Sequence, residues 1–278
     1  MRLYRQTKTL RLDFFTSTLV QINRAGFNRF TRDVLLHGFH AQAKSWIPRT
    51  TVEAYHFFKV APREASELNR IARTAHHSTG FRTDGKLPLR FDYMTETVVQ
   101  YGILGGETHR AWAGAYQLGY TLFEKNRYTP RVFSIYSYGS GDKNFGDGRR
   151  GTFDHLYPTN HSHFGIADRV GWRNMQEAEA GLIWRPAPKL VLRHEYHSIW
   201  LATRKDAFYL ENGRPLIRNP LATTNHLYQE VSVDATWEPA KQVQIRAGYA
   251  HIFPGGFLRQ SGRAFGATFP YLQWRYTF

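Results

Sequence analysis

Cysteine is absent from this 278-residue chain, and so is any unbroken apolar run near the ~18 residues that a membrane-crossing helix needs. The first absence leaves no disulfide and fits a protein that crosses an oxidising compartment, although many cytosolic chains also lack cysteine. The second excludes helical membrane spans, so a place in a bilayer would require a closed sheet of strands. The start, MRLYRQTKTLRLDFF, is basic but holds no apolar core of about 7 to 15 residues and no small-residue cleavage site, so no secretory leader is read there. Zinc-finger spacing, an RNP-like signature and a basic helix are all missing. These absences argue against a nucleic-acid partner despite a net charge of +15, which instead suits an acidic solute.

What is present is a mixture of large apolar and polar groups. Aromatic residues make up 15% of the chain while the mean hydropathy is only -0.51, as expected where each strand serves two solvents at once. The last thirteen residues, GATFPYLQWRYTF, show the pattern most clearly. Leu272, Trp274, Tyr276 and Phe278 fall on one face of an extended strand, and Gln273, Arg275 and Thr277 on the other. In QEVSVDATW, Val231, Val233, Ala235 and Trp237 oppose Glu230, Ser232, Asp234 and Thr236. In QVQIRAGYA, Val243, Ile245, Ala247 and Tyr249 oppose Gln244 and Arg246; further upstream, Leu89, Phe91 and Tyr93 oppose Arg90, Asp92, Glu96 and Gln100. One such strand would suit a soluble sandwich equally well. Repetition over many long strands points to a transmembrane antiparallel β-barrel of the outer-membrane type, an all-β fold in a single domain spanning residues 1 to 278.

About eleven strands are expected from the alternation and turn chemistry. They lie near residues 9 to 22, 31 to 45, 49 to 61, 87 to 104, 108 to 123, 129 to 139, 175 to 186, 189 to 202, 226 to 238, 241 to 253 and 268 to 278. WRPAPKL and WEPAKQV read as short turns, whereas residues 140 to 174, 203 to 225 and 254 to 267 read as long polar loops. In bacterial barrels short turns are periplasmic and long loops extracellular. Residues 62 to 86, with the helix-like EASELNRIA, read as a further loop, although strict alternation of the eleven strands would set it on the periplasmic side.

Several clusters invite a chemical reading. Asp142, Asn144, Asp147 and Asp154 offer oxygens to a calcium ion, but the closing glutamate of a calcium loop is absent, so a solvated glycine-rich loop is expected and no metal. His161 with His163, and His76 with His77, lack partners at ligand spacing and read as loop histidines. No cofactor is expected. In HEYHSIW, His194, His197 and Ser198 raise the alternative of an outer-membrane rim enzyme acting on lipid, but His197 and Ser198 point to opposite faces of a strand and cannot pair with each other.

The segment GSGDKNFGDGRRGTFDHLYPTNHSHFGIADRVGWRN, residues 139 to 174, carries GSGD, GTFD-x-LYPT and a closing D-x-VGWRN. On these motifs the chain resembles the alginate export family of outer-membrane porins, well over residues 87 to 278 and weakly before that. The resemblance implies a barrel in the bacterial cell outer membrane and a passive conduit for an anionic polysaccharide such as alginate, or a related acidic solute. It also implies a larger strand set than eleven, so the leader and N-terminal strands are expected to be missing. The terminal Phe278 resembles the signal by which barrel-assembly machinery recognises its clients.

Such a conduit needs a lumen that attracts carboxylates without holding them, which arginine interspersed with acids would supply. The expected lumen-facing members are Arg90, Asp92, Glu96, Glu179, Arg193, Glu195, Glu230, Asp234, Arg246 and Arg275. Part of this set is expected to pair across strands and mainly hold the barrel together. A general or substrate-selective porin for small anions or sugars is the alternative function.

Overall fold

The computed structural model describes residues 1–21, 26–123, 128–158 and 163–278. Among them are sixteen strands and one five-residue helix, α1 (Gly256–Gln260). Thirteen strands pair antiparallel in chain order: β1 (Arg2–Gln6), β2 (Leu10–Gln21), β3 (Arg29–Ile47), β4 (Thr50–Ala65), β5 (Ile71–Lys86), β6 (Phe91–Leu104), β7 (Glu107–Thr121), β8 (Arg131–Gly139), β10 (Met175–Ala187), β11 (Leu190–Leu201), β14 (His226–Ala240), β15 (Val243–Pro254) and β16 (Ala267–Tyr276). The two-residue β9 (Arg149–Arg150) adds parallel to β7, and β12 (Phe208–Tyr209) pairs with β13 (Pro215–Ile217) in a separate small hairpin. No pairing joins β1 to β16 among the described residues.

All eleven expected strands are present, and the count of eleven is too low. Residues 62 to 86 are not a loop: β4 runs on to Ala65, a tight turn follows, and β5 fills Ile71–Lys86. Ser66 closes that turn by accepting the Arg70 N–H on its hydroxyl at 3.0 Å, and Asn69 takes the left-handed φ of 59°. The strand is hidden in the sequence because neither face is plainly apolar. Thr74, His76, Ser78 and Gly80 look inward while Arg73, Ala75, His77 and Thr79 look outward. The added strand also removes the conflict in side, since the 66–70 turn now falls at the loop end.

The long connections gather at one end as expected, but short turns are not confined to the other, since residues 66–70 and the two-residue Gly105–Gly106 turn between β6 and β7 also lie at the loop end. Two-residue turns join β3 to β4, β10 to β11 and β14 to β15 at one end, while residues 140–174, 202–225 and 255–266 lie together at the other. The register shifts just before two of the short turns, between Trp184 and Ala187 and between Trp237 and Ala240. Each shift holds a proline, which has no N–H to give to the ladder.

Burial is inverted relative to a soluble sandwich. On the outer face of β16, Leu272 is 77% and Trp274 67% exposed, paired with Ala247 and Ile245 of β15. Val99, Tyr101, Trp112 and Leu118 continue this exposed apolar face across β6 and β7. The opposite face buries polar groups: Gln100, His109, Glu177, His197 and Glu230 are each at most 2% exposed. The main apolar cluster, with Ile166, Val170, Leu201, Phe208, Leu227 and Phe257, sits at the loop end, where the long loops pack on the strand termini.

Candidate solute pathway beneath the long loop

The inner face is built on a repeated device in which a glycine lets side chains of its two flanking strands meet across it. Gly80 of β5 lies between β4 and β6, and Tyr55 of β4 crosses it to donate its hydroxyl to Glu96 of β6. Over Gly119 of β7, Asp92 of β6 meets Arg131 of β8, Nε to Oδ2 at 2.8 Å. Over Gly181 of β10, the Phe133 ring reaches Arg193 of β11, 5.1 Å from the guanidinium carbon. Over Gly248 of β15, Tyr271 of β16 donates to Asp234 of β14. A Cβ at any of these glycines would overlap the crossing side chain.

The loop after β8 folds back onto this inner face and is pinned by Asp154. Lys59 of β4 donates to Asp154 Oδ2 at 2.9 Å, His76 of β5 lies 3.0 Å from the same oxygen, and Arg173 donates to Oδ1. Gln100 of β6 clamps the backbone on both sides, accepting the Asp154 N–H at 2.8 Å and donating to its carbonyl at 2.6 Å. Burial alone would raise the Asp154 carboxyl, but Arg173, Lys59 and His76 together outweigh it and hold the group well below the usual carboxylate range. Neighbouring His155, in the same loop, is pushed down to about 3 by burial first and by Arg173 second, so its imidazole stays neutral.

A second anchor ties this loop to the next. Asp206 accepts the Asp142 N–H at 2.8 Å, the Thr152 hydroxyl, and the Tyr209 hydroxyl at 2.8 Å. Asp142 itself is occupied by the backbone: Oδ1 accepts the Asn144 N–H at 2.7 Å and Oδ2 the Gly151 N–H at 2.6 Å. Asp147 accepts the Arg149 N–H at 2.8 Å. The apparent calcium spacing of Asp142, Asn144, Asp147 and Asp154 is thus built from turn bonds and loop anchors.

Beneath the loop lies a cavity of about 630 Å³ whose walls include Glu96, Glu179, Arg193, Glu195, His197 and Arg246. Of the remaining expected pathway residues, Glu230 accepts the Ile166 N–H at 2.8 Å and the Ala167 N–H at 3.4 Å, holding the far part of the loop. Asp234 accepts from Arg246 Nε at 2.8 Å, and Asp92 is paired with Arg131. Arg275 stands exposed on the face of Gln273, on the last strand. Arg90 departs from the expectation. It falls in the 3-10 turn Pro88–Arg90 rather than in β6, so the two-residue period does not reach it. Its guanidinium lies over the Tyr120 ring and donates to the Tyr120 hydroxyl at 2.6 Å and the Leu122 carbonyl at 2.5 Å, on the outward-facing side of β7.

His76 and His77 are strand residues rather than loop residues. His76 turns inward to Asp154, and His77 outward, stacked on Phe58 and Tyr101. His161 lies outside the described residues, and His163 sits beside Phe164. His197 and Ser198 face opposite sides as expected; Ser198 Oγ lies 3.5 Å from His226 Nε2.

Several members of the inner face had escaped the sequence reading. Glu177 and His197 share the parity of Glu179, Arg193 and Glu195 within their own strands, so period two alone would have found them. Lys59, His76 and Arg173 carried no such signal, because their role depends on where a distant loop lands.

An antiparallel meander with one apolar face, one polar face and long loops at one end is the strand arrangement of the outer-membrane porin class. The family model for alginate export matches residues 1–270, so the chain belongs to the alginate export family. The match extends over the first part of the chain, where the motif resemblance was weak. Membership implies an outer-membrane location and a channel role, in a family that is typically non-enzymatic. No curated protein matches the chain. Among solved structures, the NanC porin in a rhombohedral crystal form is similar over 97% of this chain and 100% of that one, at 6% identity and a TM-score of 0.42.

Proposed function

We propose that the chain is an outer-membrane conduit through which an anionic polysaccharide such as alginate, or a related acidic solute, diffuses along an arginine-studded lumen. The observation that carries this reading is the depth at which paired charges stand. Arg193 is 39% exposed while its partners Glu179 and Glu195 are 6% and 7% exposed; Arg246 is 30% exposed against 8% for Asp234. Arg82 repeats the order at 39% against 14% for Glu53. At these three pairs a solute meets a guanidinium first, with a balancing acid buried behind it, whereas Asp92, 27% exposed against 22% for Arg131, reverses the order. Forked cations in front recognise carboxylates, and the acids behind keep the attraction weak enough for release. Phe133 helps to hold two of these cations, with Arg131 and Arg193 at 5.2 and 5.1 Å from its ring centre.

Planar-bilayer recording tests the proposal. Anion-preferring conductance that falls on adding an oligouronate is the expected result. Anion preference with no effect of oligouronate would favour a porin for small anions. Lipid hydrolysis that disappears in Ser198→Ala would favour a rim enzyme, for which the 3.5 Å approach of Ser198 to His226 is a supporting contact.

A further inference from the structure

Behind the arginines, β10, β11 and β14 bring four glutamates and one histidine into a single buried patch. Glu177, Glu179, Glu195 and Glu230 are 1%, 6%, 8% and 0% exposed, and His197 at their centre is 2% exposed. Among the described residues Arg193 is the one guanidinium paired within the patch, 3.7 Å from Glu179 and also bound to Glu195. Carboxyl groups thus outnumber guanidinium groups in a region shielded from bulk water, an arrangement that needs protons, on His197 or on the carboxyls, or a bound cation. The hydrogen bonding is incomplete as well. Glu179 Oε1, Glu230 Oε2 and His197 Nε2 are buried and make no hydrogen bond among the described residues, although Glu179 Oε1 stands 3.7 Å from Arg193. The nearest carboxylate to His197 Nε2 is Glu195 Oε2 at 3.9 Å, beyond hydrogen-bond reach.

We propose that Glu177, Glu179 and His197 form a binding site for one divalent transition-metal cation of the Zn²⁺ type in the wall of the lumen. One ligand atom from each of the three lies within 4.8 Å of the others. His197 Nδ1 is 2.9 Å from Glu177 Oε1 and 3.9 Å from Glu179 Oε2. A tetrahedral ion with bonds of about 2.1 Å holds its ligands roughly 3.4 Å apart; it would take the place of the His197 Nδ1–Glu177 Oε1 hydrogen bond and draw in the Glu179 oxygen, which lies within 4.8 Å of both. One imidazole with two carboxylates is a donor set for Zn²⁺ or Co²⁺; calcium prefers oxygen ligands throughout. The cavity beneath the loop, which Glu177, Glu179 and His197 all line, offers an entry path. The site depends on an inner face reached by water and on no particular solute.

The test uses the full chain without an affinity tag, folded in detergent and stripped with a chelator that is then removed. Titration with ZnCl₂, read by calorimetry and elemental analysis, should give one equivalent bound per chain. Glu179→Gln and His197→Ala should each weaken binding about 10-fold or more, with circular dichroism confirming that the variants keep their strands. Should His197→Ala not fold, zinc-edge X-ray absorption of the unaltered chain should still show one imidazole nitrogen among oxygen ligands. Absence of stoichiometric zinc, binding indifferent to Glu179→Gln, a shell without imidazole, or calcium held as tightly as zinc would each overturn the site. None of these readouts depends on conductance, so this proposal and the transport reading can fail separately.

Discussion

Tyr55 on β4 donates its hydroxyl to Glu96 on β6 by lying across Gly80, the residue of the intervening strand that has no side chain to obstruct it. The bond ties together strands that are not neighbours, so it resists bending of the sheet in a way that ladder bonds between adjacent strands cannot. Gly80→Leu should destabilise the folded chain by about 1 to 3 kcal/mol through overpacking. Denaturant unfolding in detergent measures this, and Tyr55→Ala combined with Gly80→Leu should cost less than the two single changes added together. Strict additivity would show that the ring does not occupy that space.

Asp154 should set the lower pH limit of loop attachment. Its folded-state pKa lies below the ordinary value of 3.8, so its stabilising contribution is present above that value and is lost as pH falls further. Limited proteolysis of the 140–174 segment should rise only below about pH 4. Asp154→Asn should release the loop at neutral pH, because removing one member of a buried ionic cluster costs about 3 to 5 kcal/mol. Protection unchanged in that variant would remove Asp154 as the anchor.

Glu67, in the β4–β5 turn, has the opposite sign. Burial, with Asp142, Glu107 and Asp206 adding to it, pushes its carboxyl up from 4.5 to about 7, while the Gly146 N–H it accepts pulls the other way. A raised carboxyl contributes stability that is full below the unfolded value and is lost as pH rises through the folded one. Denaturant stability of the folded chain should therefore fall between about pH 4.5 and 7, even as the ionised carboxylate accepts the Gly146 N–H more strongly. Glu67→Gln, which keeps the acceptor and cannot ionise, should flatten that dependence; an equally steep profile in the variant would assign it to another group.

Reversal potentials test the pathway. Arg246→Glu replaces a partly exposed guanidinium by a carboxylate beside Asp234, and the anion-to-cation permeability ratio should fall several-fold. An unchanged ratio would take Arg246 out of the conducting path.

The two faces of β16 should respond differently to charge. Leu272→Lys on the apolar outer face should cost up to about 2 to 4 kcal/mol of stability in a bilayer, whereas Gln273→Lys on the inner face should cost little. Equal costs, measured by reversible unfolding in lipid vesicles, would contradict the assignment of faces.

Period-two alternation determined most of the architecture from residues alone. Side chains of a strand must alternate between faces, so Val231, Val233 and Trp237 against Glu230, Ser232 and Asp234 already defined an outside and an inside. The same rule placed most of the expected charges on the inner face and separated His197 from Ser198. It failed where its premise failed. β5 carries polar side chains on both faces and left no apolar rhythm to detect, and Arg90 sits in a turn just beyond the strand whose parity it was assumed to share. Only the tertiary structure decided what the inner charges do. Parity says which way a side chain points but not how strands far apart in sequence come together. Lys59, His76 and Arg173 converge on Asp154, and Glu177 and Glu179 close around His197, because curvature and loop closure bring distant backbones to one place.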